Sequence, residues 1–265
     1  MERRLTTHVV ANVFHRFMRT GRTGPAIFGC SRPGCGEDVD YLVKTMGGCD
    51  FGTGQLVREL AAAHLADYFG LAHPKHALVE IGHDLANLVA SQEPEKAGAI
   101  QQSVGTNFGS EMLNNLVTWP IDRKPSASQH SQACAIFAFD MLIRNPDRKF
   151  DNPNLGVVGD QIFIFDHELA FSSQYEFPRN PEPWRVANDD SCTKHVFFNQ
   201  LRHQILEVDE FFERLADFPS DFFQKLSTEI PANWDGSALT FIETHLAVMA
   251  EHSEQFSVEL LRRLA

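Results

Sequence analysis

The sequence predicts an α+β chain of two lobes, and three observations predict it. Short apolar runs separated by glycine-containing turns fill the first part of the chain, the pattern of a strand meander. Segments apolar at helical period fill the last part. Between them lies a polar loop, 145–154, framed by an apolar helix before it and two short apolar strands after it. The boundary is expected between Met112 and Ser128, which gives a strand-rich lobe over 1–115 and a mainly helical lobe over 116–265.

The chain has 265 residues, enough for one large or two small domains with a sizeable core, and 43% of them are apolar. Its net charge of -12 argues against a partner recognised through general positive charge, such as nucleic acid or an anionic membrane. A local basic site for phosphate is compatible with that balance. The five cysteines are an odd count without a paired C-x-x-C, which fits free thiols in a cytoplasmic protein rather than disulfides or a zinc site at Cys30, Cys35 and Cys49. No apolar run reaches the roughly 18 residues of a membrane span, and the N-terminus reads as a mature start. The 22 Phe against 3 Tyr and 3 Trp imply a core built on Phe.

In order, 5–18 alternates imperfectly and fits a strand or a short helix. A turn over 19–25 carries Gly21 and Gly24, and strands follow at 26–30 and 40–45. Lys44 lies inside the second of these, where a lysine needs a partner for its ammonium. A helix over 55–69 is apolar at Leu56, Leu60 and Ala63, stops at Gly70, and places Glu59 at the edge of its apolar face. A strand at 75–82, a short helix at 83–90, a polar loop at 93–97 and a strand at 104–112 complete the first lobe. A helix over 128–144 carries Asp140 among its apolar positions, and Pro146 ends it. The segment 172–190 is rich in Pro and Asn and reads as irregular. Helices are expected at 195–206, 208–216, 220–226 and 237–264.

The chemistry concentrates at the polar loop. Asp147 is followed by Arg148, then by Asn152 five residues on and Asp166 nineteen residues on, at the end of a strand. Carboxylates and a carboxamide are hard oxygen ligands of the kind that hold Mg²⁺ together with phosphates. As a free carboxylate Asp147 can instead orient an acceptor hydroxyl and take its proton, with Arg148 neutralising nearby charge. Upstream, a strand Lys and a helix Glu, Lys44 and Glu59, form the kind of pair that positions the α/β-phosphates of a nucleotide. Gly21 and Gly24 offer backbone N–H groups to cover phosphate.

This constellation resembles the HipA-like kinases, with a looser similarity to phosphatidylinositol kinases. In those families a catalytic Asp is followed by a basic residue and an Asn, here Asp147, Arg148 and Asn152, with Asn154 in the same N-P-N run as the alternative ligand. The metal-binding Asp follows a short apolar strand, here IFIF before Asp166; His167-Glu168 stands where ordinary protein kinases have Phe-Gly. Lys44 in YLVKT and Glu59 in QLVRELAAAH match the lysine and glutamate. The resemblance implies a bilobal protein-kinase-like fold, a strand-rich N-lobe with one main helix and a mainly helical C-lobe. It implies ATP and Mg²⁺ as cofactors and transfer to a hydroxyl acceptor, with Ser/Thr of a protein favoured. Asp147 would be the catalytic base, Asn152 and Asp166 the metal ligands, and 104–112 the segment that meets the base. The acceptor would lie near 172–190, with Arg179, Trp184 and Arg185. Two alternatives remain: a nucleotide-binding regulatory module without transfer, and a metal-dependent hydrolase built on Asp147, Asp166 and His167.

Overall fold

The computed structural model describes residues 6–19, 23–32, 38–177, 180–186 and 190–265; Gly21, Cys35 and Arg179 lie outside them. The architecture is mixed α+β, with strands concentrated early and helices late. Contacts divide the chain into two compact units. The first comprises Met1–Leu60, Pro74–Asn114 and Lys225–Ser237; the second comprises Ala61–His73, Asn115–Gln224 and Ala238–Ala265.

The first unit holds a five-stranded barrel. Strands β1 (Thr7–Phe17), β2 (Ala26–Ser31) and β3 (Asp38–Lys44) form an antiparallel meander. Helix α1 (Gly54–Phe69) follows β3, then come β4 (His76–Ile81), helices α2 (His83–Gln92) and α3 (Ala97–Gln101), and β5 (Gly105–Glu111). Strand β5 pairs antiparallel with both β3 and β4, and a parallel β1–β4 pairing closes the barrel. Period-two alternation places Val9, Ala11, Phe28, Cys30, Tyr41, Val43, Val79 and Ile81 in one apolar cluster with Ala86, Val89 and Ile100 from the helices. The imperfect alternation of the first segment has a physical cause. Strand β1 shifts register between Ala11 and Val13 and again between Phe14 and Arg16, and each irregularity interrupts the period of two.

Several sequence expectations shift here. The polar stretch at 93–97 contains a 3-10 turn, Pro94–Lys96, and leads directly into α3, whose five residues are too few to show a period. Strand β5 lies between two partners, so most of its backbone groups are taken up by the ladders. Its buried Asn107 faces a different task. Its Oδ1 accepts from Met46 N at 2.8 Å, and its Nδ2 donates to the carbonyls of Ser103 and Gly105 at 2.8 Å each. With Ser103 Oγ accepting from Gly47 N at 2.9 Å, it fixes the 3-10 turn Met46–Gly48 that follows Lys44.

In the second unit, α4 (His130–Leu142) is buried from Ala133 to Leu142 apart from Ala135. Strand β6 (Val117–Thr118) pairs with β7 (Leu155–Val158), which pairs with β8 (Gln161–Ile164), all antiparallel. The Phe-based core is real: Phe69 stacks on Phe211 at 4.4 Å, and Tyr68, Phe218, Phe222 and Phe223 form a chain of ring contacts. The helix expected at 195–206 is reduced to α6 (Phe198–Leu201), after α5 (Asp190–Lys194). His195, at the start of that segment, is instead spent on a buried carboxylate. The run 237–264 is two helices, α9 (Ser237–Glu251) and α10 (Ser253–Leu264), broken at His252. Helices α7 (Asp209–Ala216) and α8 (Phe222–Ser227) fall close to their expected positions. Cys30, Cys49, Cys134 and Cys192 are not in disulfides, and burial with the nearby Asp40 and Asp38 pushes Cys30 up to about 12. No described helix is long and apolar enough to cross a membrane.

Gly47 is a steric requirement. A Cβ there would sit 2.0 Å from the carbonyl oxygen of Ala99. Gly47→Ala is therefore expected to lower stability in urea unfolding by about 2 kcal/mol or more; an unchanged midpoint would mean that the turn after Lys44 adjusts freely.

Candidate active site

In the first unit, alternation along β3 sends Val43 into the barrel core and Lys44 to the opposite face. There Lys44 Nζ meets Glu59 Oε1 of α1 at 2.5 Å, with the side chains only 12% and 3% exposed. Helix α1 is buried nearly all round, with Leu56, Val57, Leu60, Ala61 and Ala62 all at or near zero exposure. A charge placed in such a helix needs a partner of opposite sign, and Lys44 supplies it. The helix ends as its sequence indicates: Gly70 takes a φ of 74°, and Leu71 N donates to Ala66 O, a Schellman closure. Gly24 also takes a left-handed φ, 58°, where a side chain would be strained.

In the second unit the loop after α4 is built around one buried ion pair. Asp140, fully buried on α4, accepts from Arg148 Nε at 2.5 Å and from Asn145 Nδ2 at 2.8 Å. His195 completes the shell. Its Nδ1 accepts from Phe197 N at 3.1 Å, which leaves Nε2 to donate to Asp140 Oδ2 at 3.0 Å. Burial alone would raise the Asp140 carboxyl, but the Arg148 guanidinium and the His195 hydrogen bond outweigh it and hold it well below the usual carboxylate range. Burial keeps His195 neutral by lowering it, against the pull of Asp140.

Arg148 does more than neutralise Asp140. Its Nη1 donates to the carbonyls of Asn154 at 2.6 Å and Phe165 at 3.3 Å, and its Nη2 donates to His167 Nε2 at 2.9 Å. One buried guanidinium thus ties together the end of α4, the polar loop and the strand end that carries Asp166. The neutralising role expected of Arg148 is therefore met at Asp140. Arg148 is 1% exposed and braces the loop from beneath. His167 Nε2 accepts the hydrogen bond from Arg148, which engages that ring nitrogen in the brace.

Above this brace Asp147 stays partly exposed. Its Oδ2 accepts from Asn152 Nδ2 at 3.0 Å and Asn154 Nδ2 at 3.1 Å, and Lys149 Nζ lies 3.6 Å from its Oδ1. Asn152, which spacing favours as metal ligand, and the alternative Asn154 therefore share one oxygen. They differ in anchorage. Asn152 is exposed, whereas Asn154 holds a left-handed φ of 47° with its carbonyl bound by Arg148 and by Phe165 N. Asp166 follows Phe165 with a φ of 63°. Arg144, Asn154, Asp166 and Phe171 are all left-handed, each costing about 1–3 kcal/mol; such outliers persist where surrounding contacts over-determine them. Lys149 escaped notice in the sequence because a lysine in a polar loop is ordinary. Asp140 did carry a signal, an acid on an otherwise apolar helix face.

The fold has the class of a kinase. It is similar to the crystal structure of a Helicobacter pylori proinflammatory kinase, CtkA, with a TM-score of 0.55 at 13% sequence identity, covering 97% of this chain and 99% of that one. The chain belongs to the HipA-like kinase family, whose model matches residues 10–259. No curated protein matches the sequence. Family and fold together support a kinase-type phosphotransferase.

Two outcomes test the buried polar contacts of this unit. Arg148→Met leaves Asp140 buried without its cation and is expected to cost about 3–5 kcal/mol in chemical unfolding; a loss under 1 kcal/mol would contradict the buried pair. Stability should also fall on acidification. His245 Nε2 donates to Leu142 O at 2.8 Å, and burial pushes the imidazole down to about 4. The unfolded chain, titrating near 6.5, takes up the proton first, so the contribution is complete above that pH and erodes as pH falls towards 4. At pH 5 the loss from His245 is about 2 kcal/mol. Melting curves between pH 7 and 5 should show it, and His245→Gln should flatten the dependence; an equally steep curve in that variant would assign it elsewhere.

Proposed function

We propose that the protein is an ATP- and Mg²⁺-dependent phosphotransferase that acts on a hydroxyl acceptor, with serine or threonine of a protein favoured. In this reading the first unit is the N-lobe of a bilobal kinase and the second the C-lobe. The observation that carries it is the buried Lys44–Glu59 pair, a strand lysine fixed by a helix glutamate fifteen positions on. Such a lysine presents a compact cation to the α/β-phosphates, and the glutamate fixes its position. Gly24, and with it Gly21 outside the described residues, would cover the phosphates with backbone N–H groups.

Asp147 suits the base. Its carboxylate is held by amide donors on one oxygen and remains partly open, so it can orient a hydroxyl and accept its proton as the phosphoryl group departs from ADP. Asp166 with the carboxamides of Asn152 and Asn154 supplies hard oxygen ligands of the kind Mg²⁺ takes, the ion completing its shell with phosphate oxygens and water. The ion would neutralise charge on the phosphates. Asn154, fixed at its backbone by Arg148 and Phe165, is the better organised of the two amides.

Asp147→Asn should retain nucleotide binding and lower transfer of labelled γ-phosphate by at least about 100-fold, the scale of general-base catalysis. Asp166→Asn should weaken binding of Mg·ATP as well, read as loss of the ATP-induced rise in melting temperature. Transfer at the parental rate in both variants would refute these assignments. Asn154→Ala should impair transfer more than Asn152→Ala; the reverse order would return the metal ligand to Asn152.

A further inference from the structure

Beside the catalytic loop the second unit carries a cavity of about 320 Å³ that the assigned roles leave unused. Arg144, Lys149 and Lys194 line it, with Ser172, Ser191 and a single carboxylate, Glu176. Three cations against one anion make it a positive pocket in a chain of net charge -12. Most sequence-wide charge would repel an anion, so a local concentration of this kind focuses attraction at one place.

The cations are set by the fold. An antiparallel bridge joins Lys149 to His195, and Phe150 N donates to Lys194 O at 3.3 Å, which fixes the backbones of both lysines side by side. Arg144 is 8% exposed and left-handed, with Ser172 Oγ donating to its carbonyl at 3.2 Å and Phe171 N to that of Ile143. Lys149 Nζ, 3.6 Å from Asp147 Oδ1, joins the pocket to the proposed base. Glu176 lies 3.7 Å from Arg144 Nη2 with its side chain 45% exposed, so it can leave the pocket at little cost.

We infer that this cavity binds the acidic flank of a peptide acceptor, holding a glutamate or aspartate side chain so that a nearby serine or threonine hydroxyl reaches Asp147. The inference rests on the phosphotransferase reading and adds the substrate class to it. The cavity is too polar for an adenine ring, and its residues are donors matched to carboxylate. Its surroundings favour a polypeptide over a small anion. Phe150 adjoins Lys149 in the chain, Tyr175 and Phe177 flank Glu176, and these rings are 48%, 61% and 98% exposed. Exposed aromatics next in sequence to the lining residues Lys149 and Glu176 offer apolar surface for a peptide backbone and its side chains to pack against. In the absence of peptide, Glu176 occupies the carboxylate's place beside Arg144.

The test uses short fluorescein-labelled peptides with a central serine flanked by glutamates, by glutamines or by lysines, measured by anisotropy and, with labelled ATP, by phosphate incorporation. The glutamate peptide should bind at least about tenfold more tightly than the others and weaken with added salt. Lys194→Glu, at an exposed position, should abolish that preference, and Glu176→Gln should strengthen binding. Equal binding of the three peptides, no binding of any, or an unchanged preference in Lys194→Glu would overturn the inference. So would inorganic phosphate binding as tightly as the peptide, which would mark a pocket for a small anion. Charge-selective binding without phosphate incorporation would keep the peptide site and sink the transfer reading. Incorporation with no charge preference would do the opposite.

Discussion

The second unit depends on the buried pair Asp140–Arg148. A carboxylate inside an apolar helix face is costly unless its charge and its lone pairs are all met. Here they are met by Arg148, Asn145 and neutral His195. The guanidinium then has donors to spare, and it spends them on the carbonyls of Asn154 and Phe165 and on His167. The energetic demand of one buried acid is thereby converted into a fixed geometry for the segments that carry Asp147 and Asp166. An apolar pair of equal volume could satisfy the core but could not reach those carbonyls.

The same logic operates on a smaller scale in the first unit. Lys44 and Glu59 sit on elements that are otherwise apolar, and each makes the other's burial tolerable. The turn after Lys44 is held by Asn107 and Ser103 and by the absence of a side chain at Gly47. Polar groups that would be liabilities alone act as fixed points when their hydrogen bonds are complete. The left-handed residues around the loop are a further cost that such completed networks can support.

Much of this could be read from the sequence, for physical reasons. Lys44, Glu59, Asp147, Asn152 and Asp166 stand out because charged and amide side chains beside apolar runs demand an explanation. Strands β2 to β5 and helix α1 announce themselves through period and glycine. Other features were hidden by the same rules. The bulges of β1 break the alternation that would have marked it as a strand, and α3 is too short to repeat a helical period. His195 heads a segment that reads as helical but is drawn to a carboxylate 55 residues away, a contact no local pattern encodes. The part played by Arg148 was missed because sequence reveals its charge but not the side from which it faces the loop. The positive cavity was invisible because Arg144, Lys149 and Lys194 meet only through the Lys149–His195 bridge.

The central claim is that a buried ion pair sets the geometry of the loop proposed to carry out phosphate transfer. It is tested most directly by replacing the pair with apolar residues, Asp140→Leu with Arg148→Met. γ-Phosphate transfer from Mg·ATP would be measured alongside the melting temperature. The account predicts a double variant that melts above Arg148→Met alone, since no buried charge is left uncompensated, but transfers phosphate at least about 100-fold more slowly because the loop has lost its brace. A folded double variant that transfers at the parental rate would contradict it.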